Sequence, residues 1–433
     1  MKSSKRIVCQ AVLAALSALA ASAAMAQTVP ALVGGGSSLV APSIGAEISI
    51  FPAADGTASY ASVGSGKGQT AFLNNDATQF GLASGTVVHF ANSDAGLSSS
   101  QVNAYLSSSL GTTSTGGGPL IQIPYIVTPI TIPLVNAPAG TGPQTTTGQT
   151  NSVALNDNDL CGIFSGKLTN WNQVTNPDNG SLYAAGPITV VVRGDGSGTT
   201  DLLTRHLASG VCTTGTGGNS NIAFTETQTF KTTLFPAGLP TNFVEATGSG
   251  GVVTALKNLG TAAGVGYLSP DYTNSFLATS TSAPAATNAL AVASLRNTTT
   301  GADVVPTYTA ATTALGTVTP PSGTAAGTAA ADPTQWVPNS ANPSVGYPIS
   351  GTSQIIVSQC YANHSNSPSV NASVVDFLNL HYTNASNAAI LHANGFDTVP
   401  TSFKTAIVTD FLNSKGTSLN IGNTTVCGAV AGR

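Results

Sequence analysis

Apolar positions along this chain switch between two periods. Ile188-Thr189-Val190-Val191-Val192 is a continuous, mostly β-branched run and predicts a buried strand. Leu202, Leu203, His206 and Leu207 follow at spacings that share one helical face. The residues between them, Arg193 to Thr199, make a Gly-rich turn into a helix that starts near Ser197 or Thr199. The alternation recurs elsewhere. Ser98-Ser99-Ser100 can cap a helix holding Val102, Tyr105 and Leu106, and Leu160 to Trp171 reads as a short helix plus a turn. At Gly248 to Asn258, glycines lead into another short helix. Ile121 to Val135 is β-rich, but its prolines suit a sheet edge or a crossover rather than a central strand. Strand character returns from Tyr347 to Tyr361, and helical patterns close the chain at Val374 to Tyr382 and Ser402 to Asn413. Strands alternating with helices predict an α/β fold without a fixed-period repeat.

Two stretches break the pattern. Ala137 to Asn151 is a Gly/Thr/Pro-rich loop. Ser280 to Ala331 is dominated by Ala, Thr, Ser and Gly, which could mean disorder. Leu290, Val292, Leu295, Val304 and Val305 punctuate it and argue for a long, ordered surface excursion.

The first residues are expected to lie outside the fold. Lys2, Lys5 and Arg6 precede an apolar stretch from Ile7 to about Leu19, and Ala24-Met25-Ala26 supplies a cleavage signal. Residues 1–26 therefore read as a signal peptide, and the protein is expected to be exported, with no membrane insertion. The mature chain keeps Cys161, Cys212, Cys360 and Cys427, an even count that argues for two disulfides with three possible connectivities. There is no C-x-x-C pair and the histidines are dispersed, so no metal site is expected.

Charged residues make up only 7% of the chain, against a usual value of roughly 25%. Without the leader, ten Lys/Arg face 17 Asp/Glu, a formal charge of −7. That argues against a nucleic-acid partner. It also means that any anion site must work through short-range hydrogen bonds, because the overall field repels anions. The turn at Arg193 to Thr199 has the parts for such a site. Backbone N–H groups at a helix start lack intrahelical partners and favour anions, and here an Arg, hydroxyls and glycines accompany them.

Competing motifs fail on single residues. In Val63-Gly64-Ser65-Gly66-Lys67-Gly68, Gly68 stands where a P-loop needs Ser or Thr, and Ala61 where it needs Gly. The plain alternative is a turn into a helix containing Ala71, Phe72 and Leu73. A serine-hydrolase elbow around Ser197 would need Gly in place of Asp195. Arg193-Gly194-Asp195 spells an adhesion tripeptide, but an Arg and Asp sharing one turn more often pair with each other.

Taken together, the segments GGGSSL, GSGKGQTAFLNN, NSDAGLSSSQ, LIQIP, LCGIFSGKLTNW, VVVRGDGSGTTDLLTRHL, GVGYLSPDY, YPISGTSQIIVSQCYAN and SLNIGNTTVC resemble the phosphate-binding proteins of ABC phosphate transporters. The likeness is closest to their exported branch, the DING proteins, and spans nearly all of the mature chain. Ala31-Leu32-Val33-Gly34 replaces the Asp-Ile-Asn-Gly that names the branch, while the following glycines and hydroxyl are kept.

The resemblance implies a two-lobed periplasmic-binding-protein (Venus flytrap) fold with a hinge and a ligand cleft between lobes. Residues 27–126 and 341–433 would form one lobe and 127–340 the other, with hinge strands near Tyr125 and Tyr347. The implied phosphate ligands are Ser38, the Leu39 N–H, Ser65 and Asp94 from one lobe, with Arg193, Ser197, the Gly198 N–H and Thr199 from the other. Asp195 would hold Arg193 in place, and the disulfides would be Cys161–Cys212 and Cys360–Cys427. Asp94 makes chemical sense only for a ligand that carries a proton. Phosphate can donate an O–H to it near neutral pH, whereas sulfate cannot, so selectivity over sulfate is expected.

The expected function is high-affinity binding of inorganic phosphate for uptake or scavenging, by a monomer with no cofactor beyond its ligand. An ABC phosphate permease would be the partner. A phosphatase-like enzyme, or a secreted phosphate-binding protein without a transporter, are the alternatives.

Overall fold

The computed structural model describes residues 28–138, 153–273, 282–288, 290–413 and 417–433. The expected leader and most of the loop from Ala137 to Asn151 lie outside the described residues. The chain begins with three strands, β1 (Ala31–Gly36), β2 (Thr57–Ser62) and β3 (Phe90–Ser93), followed by the long β4 (Leu120–Pro129). It then moves to other sheets through β5 (Pro133–Val135), β6 (Ala154–Leu155), β7 (Ile188–Arg193), β8 (Phe243–Ala246), β9 (Ala263–Gly266), β10 (Ala291–Val292), β11 (Ser294–Asn297) and β12 (Ala302–Val304). It returns with β13 (Ser350–Ser358) and β14 (Asp397–Thr398).

Among the described residues these strands form three sheets. The six-stranded sheet has the order β14-β4-β13-β3-β1-β2, the five-stranded sheet β10-β5-β9-β7-β8, and the small third sheet β12-β11-β6. Parallel pairing dominates around β1 and around β7, where helices return the chain to the same edge. In each large sheet these parallel strands carry their glycine-rich turns at their C-terminal ends.

The expectation that Ile121 to Val135 avoids a sheet centre needs correcting. All ten residues of β4 are buried, and it lies between β13 and β14. Pro124 is tolerated because the β4–β13 register shifts between Ser353 and Gln354, so the missing N–H falls at a bulge. The crossover half of the reading is what the structure shows: β4 belongs to the six-stranded sheet and β5 to the five-stranded one. Between them the Ile130 N–H donates to the Ile349 carbonyl at 2.8 Å, and Thr131 and Leu268 exchange backbone bonds at 2.9 and 3.0 Å. The chain thus leaves the first sheet beside the place where it later re-enters, after Tyr347.

Local expectations fare well at helix starts. Ser98 caps Ser99–Leu106 in a reciprocal capping box with Gln101. Ser197 is the N-cap of Gly198–His206. The turn expected at Gly64 to Gly68 is shorter, because the helix already begins at Ser65 and runs to Asn74. Within the described part of the Ser280–Ala331 excursion lie β10, β11, β12 and the helix Tyr308–Leu315. Residues 308–336 fold back on the six-stranded sheet: Gln122 Nε2 donates to the Pro333 carbonyl, and Trp336 packs edge-on against Phe403 and Phe411. Two disulfides, Cys161–Cys212 and Cys360–Cys427, brace the two parts of the molecule. No described helix is long and apolar enough to cross a membrane.

Candidate anion site in the cleft between the lobes

The site begins where β1 approaches β3 without side chains in the way. A Cβ on Gly34 would lie 2.2 Å from the Phe90 ring, and one on Gly36, at φ +130°, would lie 2.2 Å from the Asn92 carbonyl. Glycine is therefore required, and the close approach lets the Ser37 N–H donate to the Asn92 carbonyl at 2.8 Å. That bond turns Ser37, Ser38 and Leu39 inward, and all three are buried. Asp94 stands at the end of β3 and Ser65 at the start of the helix beyond β2, with the Asp94 N–H donating to Ser65 Oγ at 3.2 Å.

The opposite wall comes from the five-stranded sheet. Arg193 ends β7, and its Nε and Nη2 donate to Asp195 Oδ1 and Oδ2 at 2.7 and 2.5 Å. The Gly248 N–H, at the start of the helix Gly248–Lys257, also donates to Asp195 Oδ1 at 3.0 Å. Ser197 Oγ accepts from the Thr200 N–H at 3.2 Å, a cap that leaves the first N–H groups of the next helix aimed into the cleft.

The two walls meet. The Gly66 N–H donates to the Gly196 carbonyl at 2.9 Å, and Gln228 Nε2 to Gln69 Oε1 at 3.0 Å. Ser38 Oγ accepts from the Ser249 N–H and lies 3.1 Å from Ser249 Oγ. Thr199 Oγ1 is 3.5 Å from Asp94 Oδ2. Arg193 and Asp94 are only 2% and 1% exposed, so the cleft is shut from bulk water.

Every residue expected at the site is thereby brought into one place: Ser38, Leu39, Ser65 and Asp94 on one wall, Arg193, Ser197, Gly198 and Thr199 on the other. The Leu39 N–H has a neighbour that sequence reading missed, donating to Ser37 Oγ at 3.1 Å. Ser249 and Ser353 were missed as well. Ser37 and Ser249 carried a faint signal, each a hydroxyl beside glycines at a predicted turn. Ser353 carried none, being one of nine buried residues in β13.

Electrostatics separate the two carboxylates. Burial pushes Asp94 above its ordinary value, opposed by hydrogen bonds from Ser37 and Ser353, the charge of Arg193 and the Thr199 hydroxyl. Burial also pushes Asp195 up, but the two bonds and the charge of Arg193, with the Gly248 N–H, outweigh it and hold that carboxyl below its ordinary value. Asp195 is thus held as the anion clamping the guanidinium, while burial works against the charge on Asp94. The histidines serve elsewhere: His206 binds Asp157, His381 binds Glu47, and His392 binds Asp397. Among the described residues, no three His, Cys, Asp or Glu side chains gather as a metal site would require.

Two α/β lobes, each offering glycine turns at strand ends to a shared buried cleft, define a two-lobed solute-binding protein. The chain belongs to the PBP superfamily, whose domain description matches residues 21–379, and within it to the DING branch of phosphate-binding proteins. It is 38% identical over 412 residues to alkaline phosphatase L of Pseudomonas aeruginosa, covering 94% of this chain and 96% of that one. It is 35% identical over 388 residues to a phosphate-binding protein from an unknown prokaryotic organism, covering 86% and 92%. A high affinity periplasmic phosphate-binding protein, PfluDING, solved with bound phosphate, superposes with a TM-score of 0.71 at 33% identity, covering 93% of this chain and 99% of that one.

Proposed function

We propose that this protein binds inorganic phosphate in the closed cleft and that it discriminates against sulfate through Asp94. Ser38, the Leu39 N–H, Ser65 and Asp94 would hold one side of the anion, and Arg193, Ser197, the Gly198 N–H and Thr199 the other. The observation that carries the reading is the pairing of a clamped guanidinium with a buried carboxylate across one small cleft. A buried dianion needs its oxygens bonded, and Arg193 with the helix N–H groups supplies donors. Asp94 offers only acceptors when ionised, so it fits an anion that still carries a proton. The phosphate-bound relative of the same fold supports the same ligand.

The lobes would be residues 27–126 with 341–433, and 127–340, except that β4 carries the first lobe's sheet on to Pro129 and residues 308–336 fold back on that sheet. Opening would bend the crossing segments after Tyr347 and near Ile130, rather than at the expected Tyr125, which lies inside the buried strand β4. An exported protein of this kind, acting as a monomer, would deliver phosphate to an ABC permease or hold it as a scavenger. Isothermal titration with phosphate and with sulfate tests the reading. Phosphate binding with sulfate weaker by several orders of magnitude is expected; equal affinities would overturn the role of Asp94.

A second reading has one specific support, the name alkaline phosphatase L carried by a 38% identical relative. Under it, the same cleft would hold phosphate as a product. A phosphomonoesterase assay on the purified protein and on Arg193→Ala decides: turnover lost with Arg193 would establish an enzyme, and turnover independent of it a contaminant.

A further inference from the structure

We infer that Ser37 and Ser353 are specificity-determining residues, which load one oxygen of Asp94 so that the other is reserved for a proton carried by the ligand. The inference rests on the phosphate reading above. Ser37 Oγ and Ser353 Oγ donate to Asp94 Oδ1 at 2.6 and 2.8 Å. A carboxylate oxygen has about two lone-pair sites, so Oδ1 is saturated. Oδ2 has only Thr199 Oγ1 at 3.5 Å, the outer limit of a hydrogen bond. All three serine and aspartate side chains are buried, at most 1% exposed.

The donor direction of Ser37 is settled locally. An ionised carboxylate only accepts, so the hydroxyl hydrogen points at Asp94 whether or not its oxygen also accepts the Leu39 N–H, as it does here at 3.1 Å. Ser353 reaches the same oxygen from β13, at the register shift beside Gln354, where a bulge redirects side chains. Two elements far apart in sequence thus fix the carboxylate plane from one side. The fixed face leaves Oδ2 toward Thr199 and the opposite wall.

These two hydroxyls also favour the ionised form of the buried carboxyl against burial. Arg193 is the cation acting on Asp94, while Asp94 and the buried carboxyls Asp201 and Asp271 repel one another, and Tyr60 also feels its charge. With both hydroxyls in place the ionised form has its donors. Burial already raises this carboxyl with both hydroxyls present; removing them takes away two of the contacts that oppose burial, and a carboxyl that keeps its proton can donate to a fully ionised oxyanion. The site would then accept sulfate.

The test is titration of wild type, Ser37→Ala, Ser353→Ala and the double variant with inorganic phosphate and sodium sulfate at pH 7. The phosphate-to-sulfate affinity ratio is expected to fall at least tenfold in each single variant and further in the double, with sulfate binding strengthened. Ser37→Thr, which keeps the hydroxyl, is expected to restore the wild-type ratio. A wild-type protein that binds phosphate selectively, with alanine variants showing the same ratio, would overturn this inference and leave the phosphate reading standing. A wild type that binds no phosphate would instead remove the reading beneath it. Should the alanine variants not fold, the infrared difference between wild type and Asp94→Asn decides. An ionised carboxylate band at pH 7 is expected, and a protonated carboxyl band would overturn the inference.

Discussion

Arg193 and Asp195 face each other across two hydrogen bonds, Nε to Oδ1 at 2.7 Å and Nη2 to Oδ2 at 2.5 Å. The pair sits in one turn, two residues apart, with side chains 2% and 12% exposed. Using one edge of the guanidinium for Asp195 fixes its plane and leaves its remaining donors for an anion. Truncating a buried, hydrogen-bonded charge costs about 2–5 kcal/mol, or roughly 30- to 5000-fold in affinity. Arg193→Ala is expected to weaken phosphate binding within that range. Arg193→Lys should recover little of it, since an ammonium cannot hold Asp195 and the anion in one plane. Calorimetric titration of both variants checks this; lysine binding as tightly as arginine would refute the fork.

Closure makes a separate demand on Gly198. A Cβ there would lie 2.5 Å from Asp94 Cβ and 2.7 Å from the Ala95 nitrogen, both closer than atoms allow. Neither neighbour is the flexible end of a side chain, so the lobes would have to stay apart. Gly198→Ala is expected to lower phosphate affinity at least tenfold and to abolish the contraction that phosphate causes in small-angle scattering. An alanine variant that contracts like wild type would show that the approach seen here is not needed for binding.

The wall built on Arg193 to Thr199 was legible because its signals are local. A β-branched run, glycines and a capping hydroxyl specify strand, turn and helix between Ile188 and His206. The partner wall was legible only through the resemblance, since Ser38, Ser65 and Asp94 come from three separate turns. Ser353 was illegible for a physical reason. It lies inside a fully buried strand whose sequence gives no period, and its polar role depends on the β4–β13 register. The same register explains the misreading of β4, because Pro124 argues against a central strand until the bulge beside it is known.

The disulfide Cys161–Cys212 joins the helix Asp157–Phe164 to the end of the segment that follows the anion-site helix, across 51 residues. A loop of that length is worth about 4 kcal/mol in chain entropy, and measured losses run at about 2–5 kcal/mol. Replacing both cysteines with serine is expected to lower unfolding stability by that amount in urea titrations. Adding saturating phosphate should recover part of the loss, because the ligand binds only the folded chain. No change in the urea midpoint would show that the bond adds nothing beyond the packing around it.

His89 links the strand beneath the site to pH. Its Nδ1 accepts the Val33 N–H at 3.0 Å, so the ring must stay neutral there, and its carbonyl accepts the Tyr361 hydroxyl. Burial, with repulsion from Arg433 and His364, lowers its pKa to about 4. In the unfolded chain it protonates near 6.5, so between about pH 6.5 and 4 the unfolded state binds more protons than the folded one. Stability contributed by neutral His89 is therefore complete above pH 6.5 and falls as acid is added, by up to about 3 kcal/mol at pH 4. Asp159 and Asp201, both pushed by burial to about 7, act in the opposite sense, losing stability as pH rises from about 4 to 7. Their contribution is common to a His89→Asn variant, whose side-chain oxygen can still accept from Val33. Subtracting the two unfolding curves over pH 4 to 7 isolates His89. The variant is expected to gain on wild type steadily below pH 6.5, and a constant difference across that range would mean that the ring already titrates normally beside β1.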